Sequence, residues 1–435
     1  MSQQPLRVGM IGCGTVGSGV ARLLRDKAEL YAGRAGVEIE LARVLVRSPD
    51  RYTDHDGLAD VAVTDDPDQF FGDLDIVIEL AGGRDSVGDL VRRALESGCH
   101  VVTANKALLA AEGPELFALA REHDVAIAFE ASCGGGIPMI TALKFGLMAN
   151  QIQALYGILN GTCNYILTAM SREGCGYDEA LSSAQELGYA EADPTLDVSG
   201  RDAAEKLAIL ASLAFGVKVS PDQVACRGIE GLDLTDLQFG AELGYDMKLL
   251  AIAEQNGEGL SLRTEPCLIH RDQPLAQVHG PFNALSAFGD AVGHSMYLGR
   301  GAGEQPTASA VVSDLLNLAG GWYPQAFGQM NIWPGAGVEA GAQVSEALHS
   351  RFYVRISALD VPGVMAKVST ILGDAGISLS ALLQHESAEG EFVPVVITTH
   401  EADAAALSAA LSEIEALDVI DGMPVHYRVV EMPAG

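Results

Sequence analysis

The spacing of apolar residues changes period along this chain. From Leu6 to Ile11 they run almost without interruption, and from Ser18 to Leu30 they recur at the spacing of a helix. The same change repeats: Val37–Val46, Asp75–Ala81, His100–Thr103 and Val125–Ala131 predict buried strands, with helical patterns such as Ser86–Ser97 and Pro114–His123 between them. Strands that alternate with helices imply parallel pairing through crossover helices, so a doubly wound α/β sheet of the Rossmann type is expected. The glycine cluster Gly134-Gly-Gly-Ile-Pro138 closes this pattern and bounds a first domain at 1–138.

A second region, 139–322, mixes helices (Met139–Met148, Tyr177–Leu187, Arg201–Phe215) with apolar strands such as Ile152–Leu159 and Ser261–Ile269. An α+β domain with an open sheet under helices is expected there. The helix Pro306–Ala319 has a small apolar face, which suits 304–322 to docking back on the first domain. Gly, Pro and Ala dominate Gly320–Ala347, and a linker is placed at 323–349. Beyond it, Phe352–Ala358, Gly363–Ala375, Ile377–Gln384, Glu391–Thr399, Ala404–Leu417 and Val425–Val430 read as strand, helix, strand, strand, helix, strand. This is a split, ferredoxin-like pattern over 350–435. Val364, Val368, Ile371 and Leu372 recur at helical spacing and read as its core.

A length of 435 residues accommodates about three domains. Charged residues are only 20% of the chain against 48% apolar, which predicts order nearly throughout. Acidic residues outnumber basic ones 58 to 27, and the net charge of −31 opposes nucleic-acid and anionic-membrane partners. The 7 cysteines show no C-x-x-C pair and no zinc spacing, so reduced thiols are expected. Met1–Arg7 holds no apolar run of signal-peptide length and no window is long enough to span a membrane, which predicts a cytoplasmic protein.

Chemistry enters at Gly12-Cys-Gly-Thr-Val-Gly17, which follows a strand and opens a helix. Gly12 can make the tight turn, Gly14 can let the backbone approach a pyrophosphate, Gly17 can pack helix on strand, and Thr15 and Val16 complete the loop. The second strand ends Leu45-Val-Arg-Ser-Pro49, with no acid to hold a ribose 2′-hydroxyl. Arg47 would rather meet a 2′-phosphate, which favours NADP; as a solvated strand end it would leave NAD equally open. Thr103-Ala-Asn-Lys106 lies at the carboxyl edge of the sheet, where ligands of such folds bind. Asp202 and Lys206 are four residues apart on one helix face, a spacing shared by solvated surface pairs and by functional ones. Asp193 and Asp197, in the acid-rich loop before it, suit capping or solvating that loop.

Four segments together resemble the homoserine dehydrogenase family: the glycine loop, Thr103–Lys106, the run Gly157-Ile-Leu-Asn-Gly-Thr-Cys-Asn-Tyr-Ile-Leu167 and the acidic stretch Leu187–Lys206. The resemblance implies reduction of L-aspartate 4-semialdehyde to L-homoserine with NADP or NAD. It implies Lys106, Lys206 and Asp202 as catalytic groups, and Asn160, Gly161, Thr162, Tyr189 and Glu191 around the substrate, with Glu191 holding its amino group. Thr103, Lys106 and Glu304 would face the cofactor. Such a reaction needs a proton donor as negative charge builds on oxygen, which a positioned ammonium supplies. Glu130-Ala-Ser-Cys-Gly-Gly-Gly-Ile137 resembles the family loop for a monovalent cation, through Glu130 and the carbonyls of Cys133, Gly135 and Ile137; read alone it is equally a glycine hinge. Asp360-Val-Pro-Gly363 and the helix after it resemble an ACT domain, a regulatory module that implies an amino-acid effector, threonine first, at Asp360 and Gly363, and paired chains as dimer or tetramer. Three other functions remain open: another amino-acid or semialdehyde dehydrogenase, an acyl-forming enzyme with Cys133 as nucleophile, and a non-catalytic amino-acid sensor.

Overall fold

The computed structural model describes residues 4–257, 259–330, 348–385 and 390–433. Two units can be told apart, one from the described parts of 1–161, 202–224 and 281–342, the other from those of 162–201, 225–280 and 343–435. No described helix is long and apolar enough to cross a membrane.

In the first unit the strands Ala62–Thr64, Ile39–Leu45, Leu6–Ile11, Ile76–Glu79, His100–Thr103 and Ile127–Ala128 lie side by side in that order, all parallel. Val8, Met10, Ile76, Val77, Ile78, Val101 and Val102 have no exposed surface, which is why these strands read as unbroken apolar runs rather than as alternation. Register aligns Leu45, Ile11, Glu79 and Thr103 along the carboxyl edge. The order reverses between Leu6–Ile11 and Ile76–Glu79, and a crevice opens at that point. Beside this sheet the unit contains an antiparallel set, Ile152–Ile158, Phe282–Gly289 and Gly293–Arg300. The helix Glu304–Ala319 crosses Thr15–Asp26 at Gly19, where a β-carbon would meet the Ala308 methyl at 3.1 Å.

Local chemistry moved three helix boundaries. The helix expected from Pro114 begins at Lys106, because the Asn105 side chain accepts the Leu108 amide at 3.1 Å and caps the earlier turn. Met139–Thr141 passes into a π turn over Ala142–Gly146 instead of continuing as α-helix to Met148. Trp322–Gln329, expected within the linker, is helical: Tyr323 and Phe327 are buried, the Tyr323 hydroxyl donates to Ile127 O at 2.9 Å, and Phe327 packs 5.5 Å from Phe117. Two aromatic anchors outweigh the Gly, Pro and Ala around them. The linker residues 331–347 lie outside the described residues.

In the second unit the hairpin Tyr245–Asn256/Gly259–His270 is continued by Val425–Val430, parallel to it with Cys267 opposite Arg428. His349–Leu359, Phe392–Thr399 and Leu379–Gln384 then follow antiparallel, and the helices Val364–Asp374 and Ala404–Glu415 complete the expected split pattern. Val364, Val368 and Leu372 are buried and Ile371 packs against them, so the helical spacing marks core. The helix Leu234–Glu242 is tied to this module by Asp236, which is 1% exposed. Its carboxylate accepts Arg355 Nε at 2.6 Å and Nη2 at 2.9 Å, and the Tyr353 hydroxyl at 2.9 Å. Removing one partner of a buried pair strands the other, so Asp236→Ala is expected to lower stability by about 3–5 kcal/mol. Urea unfolding reads this directly; a loss under about 1 kcal/mol, the range of an exposed pair, would contradict it.

Candidate active site

The glycine loop hangs from both neighbouring strands, Gly12 N donating to Leu45 O at 2.9 Å and Leu80 N to Ile11 O at 2.8 Å. Gly12 has φ +87°, and a β-carbon there would lie 2.8 Å from Ala81 N. At Gly17 the β-carbon would meet Gly12 O at 2.6 Å, whereas at Gly14 nothing stands within 4 Å, so backbone is exposed for a ligand. Thr15 is exposed and Val16 half-buried at the start of Thr15–Asp26, whose first turn has no acid to compete with an anion for the free amides. Arg47 is exposed at the end of the second strand and makes no ion pair among the described residues. Glu304 opens its helix with its carboxylate paired to Arg22.

Glu79, at the end of the central strand, was not singled out by sequence, yet it has no exposed surface. One oxygen accepts the amides of Ala81 (2.9 Å) and Gly82 (3.0 Å), and the other accepts the Thr103 hydroxyl at 2.7 Å. It stiffens the crevice wall. The Thr103 hydroxyl in turn accepts Asn105 N at 3.0 Å. The available signal was an acid at the carboxyl end of an apolar strand.

From this edge Lys106 reaches Asp202, on the helix Arg201–Phe215. Lys106 Nζ lies 3.3 Å from Asp202 Oδ1, and Lys206 Nζ lies 2.7 Å from Asp202 Oδ2. One buried carboxylate therefore gathers two ammonium groups from distant parts of the chain. Asn160 Nδ2 donates to Asp202 Oδ2 at 2.8 Å, and Lys206 Nζ donates to Leu159 O at 2.9 Å, a carbonyl that also accepts Asn283 Nδ2 at 2.9 Å. A β-carbon on Gly161 would sit 2.9 Å from Pro281 O, so this turn requires glycine. Glu205, also missed by sequence, stands 3.7 Å from Lys106 Nζ. Burial opposes charge on Asp202, but Lys206 and Lys106 outweigh it and hold its pKa below the usual value. Burial likewise opposes charge on Lys106, and Asp202 and Glu205 overcome it, raising that pKa. The lysine side chains keep 25% and 14% exposure, so neither is sealed from solvent. A solvated surface pair is excluded as the reading of Asp202 and Lys206.

Cys133 cannot serve as nucleophile. It is wholly buried and its pKa is pushed up to about 12 by that burial. Its neighbour Glu130 is buried, with Oε1 accepting Ile140 N and Oε2 accepting Thr141 N, each at 2.8 Å. Gly134 and Gly135 have positive φ, and Ile137 N closes the turn on Gly134 O at 3.0 Å. No cluster of three or more His, Cys, Asp or Glu among the described residues could hold a metal ion.

Three expected substrate residues lie in the second unit. The Thr162 hydroxyl donates to Tyr189 O at 2.6 Å, and the Tyr189 ring packs 4.9 Å from Tyr165. Glu191 is exposed, while Asp193 accepts both the amide and the hydroxyl of Thr195, a loop cap. In the carboxyl-terminal module Gly363 (φ +93°) opens the helix Val364–Asp374, but the Asp360 amide already donates to Glu391 O at 2.8 Å. That amide is not free for an effector carboxylate, contrary to the expectation from the turn.

A parallel sheet in this order, with a glycine loop at its switch point and a lysine–aspartate–lysine cluster nearby, belongs to the dinucleotide-dependent oxidoreductases. Comparison narrows the class: residues 138–316 match the homoserine dehydrogenase family, 12–130 its NAD-binding domain and 352–419 the ACT domain. A homoserine dehydrogenase of Pseudomonas aeruginosa is 42% identical over 99% of this chain and 100% of its own. The crystal structure of one from Thiobacillus denitrificans superposes with a TM-score of 0.88 at 40% identity, covering 98% of this chain and 99% of that one. A hyperthermophilic archaeal homoserine dehydrogenase in complex with NADPH matches at TM-score 0.61 and 26% identity, over 72% of this chain and 97% of its own. The chain belongs to the homoserine dehydrogenase family, an NAD(P)-dependent oxidoreductase with a carboxyl-terminal ACT domain.

Proposed function

We propose that the protein reduces L-aspartate 4-semialdehyde to L-homoserine, with Lys106, Lys206 and Asp202 as its catalytic groups. The observation that carries the assignment is the shared Asp202 carboxylate, which gathers both lysine nitrogens at one place. The nicotinamide, when bound, supplies the hydride to the aldehyde carbon. The chain's own groups handle the proton: an ammonium stabilises charge growing on the aldehyde oxygen and donates to it, and the amine left behind recovers a proton from solvent. Leu159 O sets the direction of Lys206, and Asn160 that of the Asp202 carboxylate.

Consumption of NADPH by the purified protein with aspartate semialdehyde tests this reading, and absence of turnover with either dinucleotide would sink it. The same assay resolves two finer parts. Threonine is the effector proposed for the ACT domain, and inhibition by it is expected. A monovalent cation fits the 130–137 loop as a hard oxygen set, since each Glu130 oxygen keeps a lone pair after accepting its amide. Potassium or sodium salts should then support more activity than tetramethylammonium. Sedimentation should show at least a dimer.

Arg47 carries the choice of dinucleotide. Its free, exposed guanidinium suits a 2′-phosphate, so Arg47→Ala is expected to raise KM for NADPH about tenfold or more while leaving that for NADH unchanged. Equal effects on both would remove Arg47 from the site.

A further inference from the structure

A cavity of about 260 Å³ opens in the second unit, away in sequence from the glycine loop and the lysine cluster. It is many times the share of liquid that one water occupies, about 30 Å³. The helix Gly161–Glu173 lines it with Thr168 and Arg172, the hairpin strand with Asp246 and Lys248, and the following turns with Arg271 and His279.

The charges on this wall are unbalanced. Lys248 is 2% exposed, and its ammonium meets only neutral acceptors: Val278 O at 2.6 Å, Asn164 Oδ1 at 3.4 Å and His279 Nδ1 at 3.4 Å. Asp246, the acid on this wall, is engaged by Arg271 Nε at 2.9 Å. Arg172 has no ion pair among the described residues. Burial, the largest cause, pushes the Lys248 pKa down to about 8; the Asp246 carboxylate partly offsets this, and Arg172 adds to it. A chain of net charge −31 thus gathers three cationic side chains and a histidine around one carboxylate in a concave site. Three cations against one carboxylate leave the cleft net positive, and a low-dielectric cleft with an excess of one sign of charge concentrates ions of the other.

We propose that this cavity binds a small oxyanion, a phosphate- or polycarboxylate-bearing molecule, between the Lys248 ammonium on its floor and the Arg172 guanidinium at its rim. A lysine serving only to hold the 278–280 turn would give Arg172 no part, and that difference makes the proposal testable.

The full-length protein, saturated with NADP⁺ so that the glycine loop is filled, is titrated calorimetrically with inorganic phosphate, pyrophosphate and citrate. One site per chain is expected; binding confined to the phosphates or to citrate identifies the ligand's source within the oxyanion class. Arg172→Ala and Lys248→Met should each weaken binding about tenfold or more. Arg172 is exposed, so its variant should fold even where Lys248→Met does not. No binding of any of the three anions, or equal affinity in Arg172→Ala, overturns the proposal.

Discussion

Lys206→Met lowers kcat for semialdehyde reduction by about a hundredfold to ten-thousandfold, the usual contribution of a positioned general acid, while the KM for NADPH stays within about threefold. Methionine preserves the aliphatic stem and removes only the ammonium, so packing on the helix Arg201–Phe215 is retained. Lys106→Met should lower kcat in the same range, because both nitrogens rest on Asp202. If the two act on one oxygen, the double variant loses less than the product of the single losses. Multiplicative losses would mean separate tasks, and full activity in Lys206→Met would remove it from the mechanism.

The pH dependence follows from the shifts. Asp202, held below the usual carboxylate value, contributes stability present above its unfolded pKa and lost as pH falls through the lowered folded one. Lys106, raised, contributes stability present below its unfolded pKa and lost as pH rises through the folded one. Both shifts carry these two groups' titrations away from neutrality. A break in stability near pH 7 must come from elsewhere.

Asp202→Ala is the second large effect and acts on both activity and stability. It leaves two ammoniums facing each other over an unfilled space, with Asn160 Nδ2 losing its acceptor. Unpairing a buried charge costs about 3–5 kcal/mol, and kcat should fall at least as far as in Lys206→Met because neither lysine stays in position. Asp202→Asn separates the causes: it keeps the shape, restores most of the packing and still fails to balance the charge. Recovery of kcat in Asp202→Asn would show that Asp202 positions by shape alone. Chemical denaturation and steady-state kinetics on the same preparations check both arms.

Much of this site was legible because its signals are local. Asp202 and Lys206 share a helix face by spacing, and Gly12 and Gly17 mark a turn in which a side chain would strike backbone. Lys106 was suggested by its place after a strand. Its pairing with Asp202 and Glu205 was invisible, since nothing in either segment encodes the other. Glu79 was hidden for another reason. An acid closing an apolar strand resembles an ordinary exposed strand end until Ala81, Gly82 and Thr103 are seen around it. Lys248 likewise sits in an apolar strand with no mark of the cavity it faces.

By itself the sequence determined the periods of strand and helix, the glycine turn and the acid–lysine spacing, since each follows from backbone geometry over a few residues. Tertiary structure alone decided which charges meet, which carboxylates are buried and which helix ends move. Those outcomes depend on desolvation and on contacts between segments far apart in the chain, and neither leaves a local pattern to read.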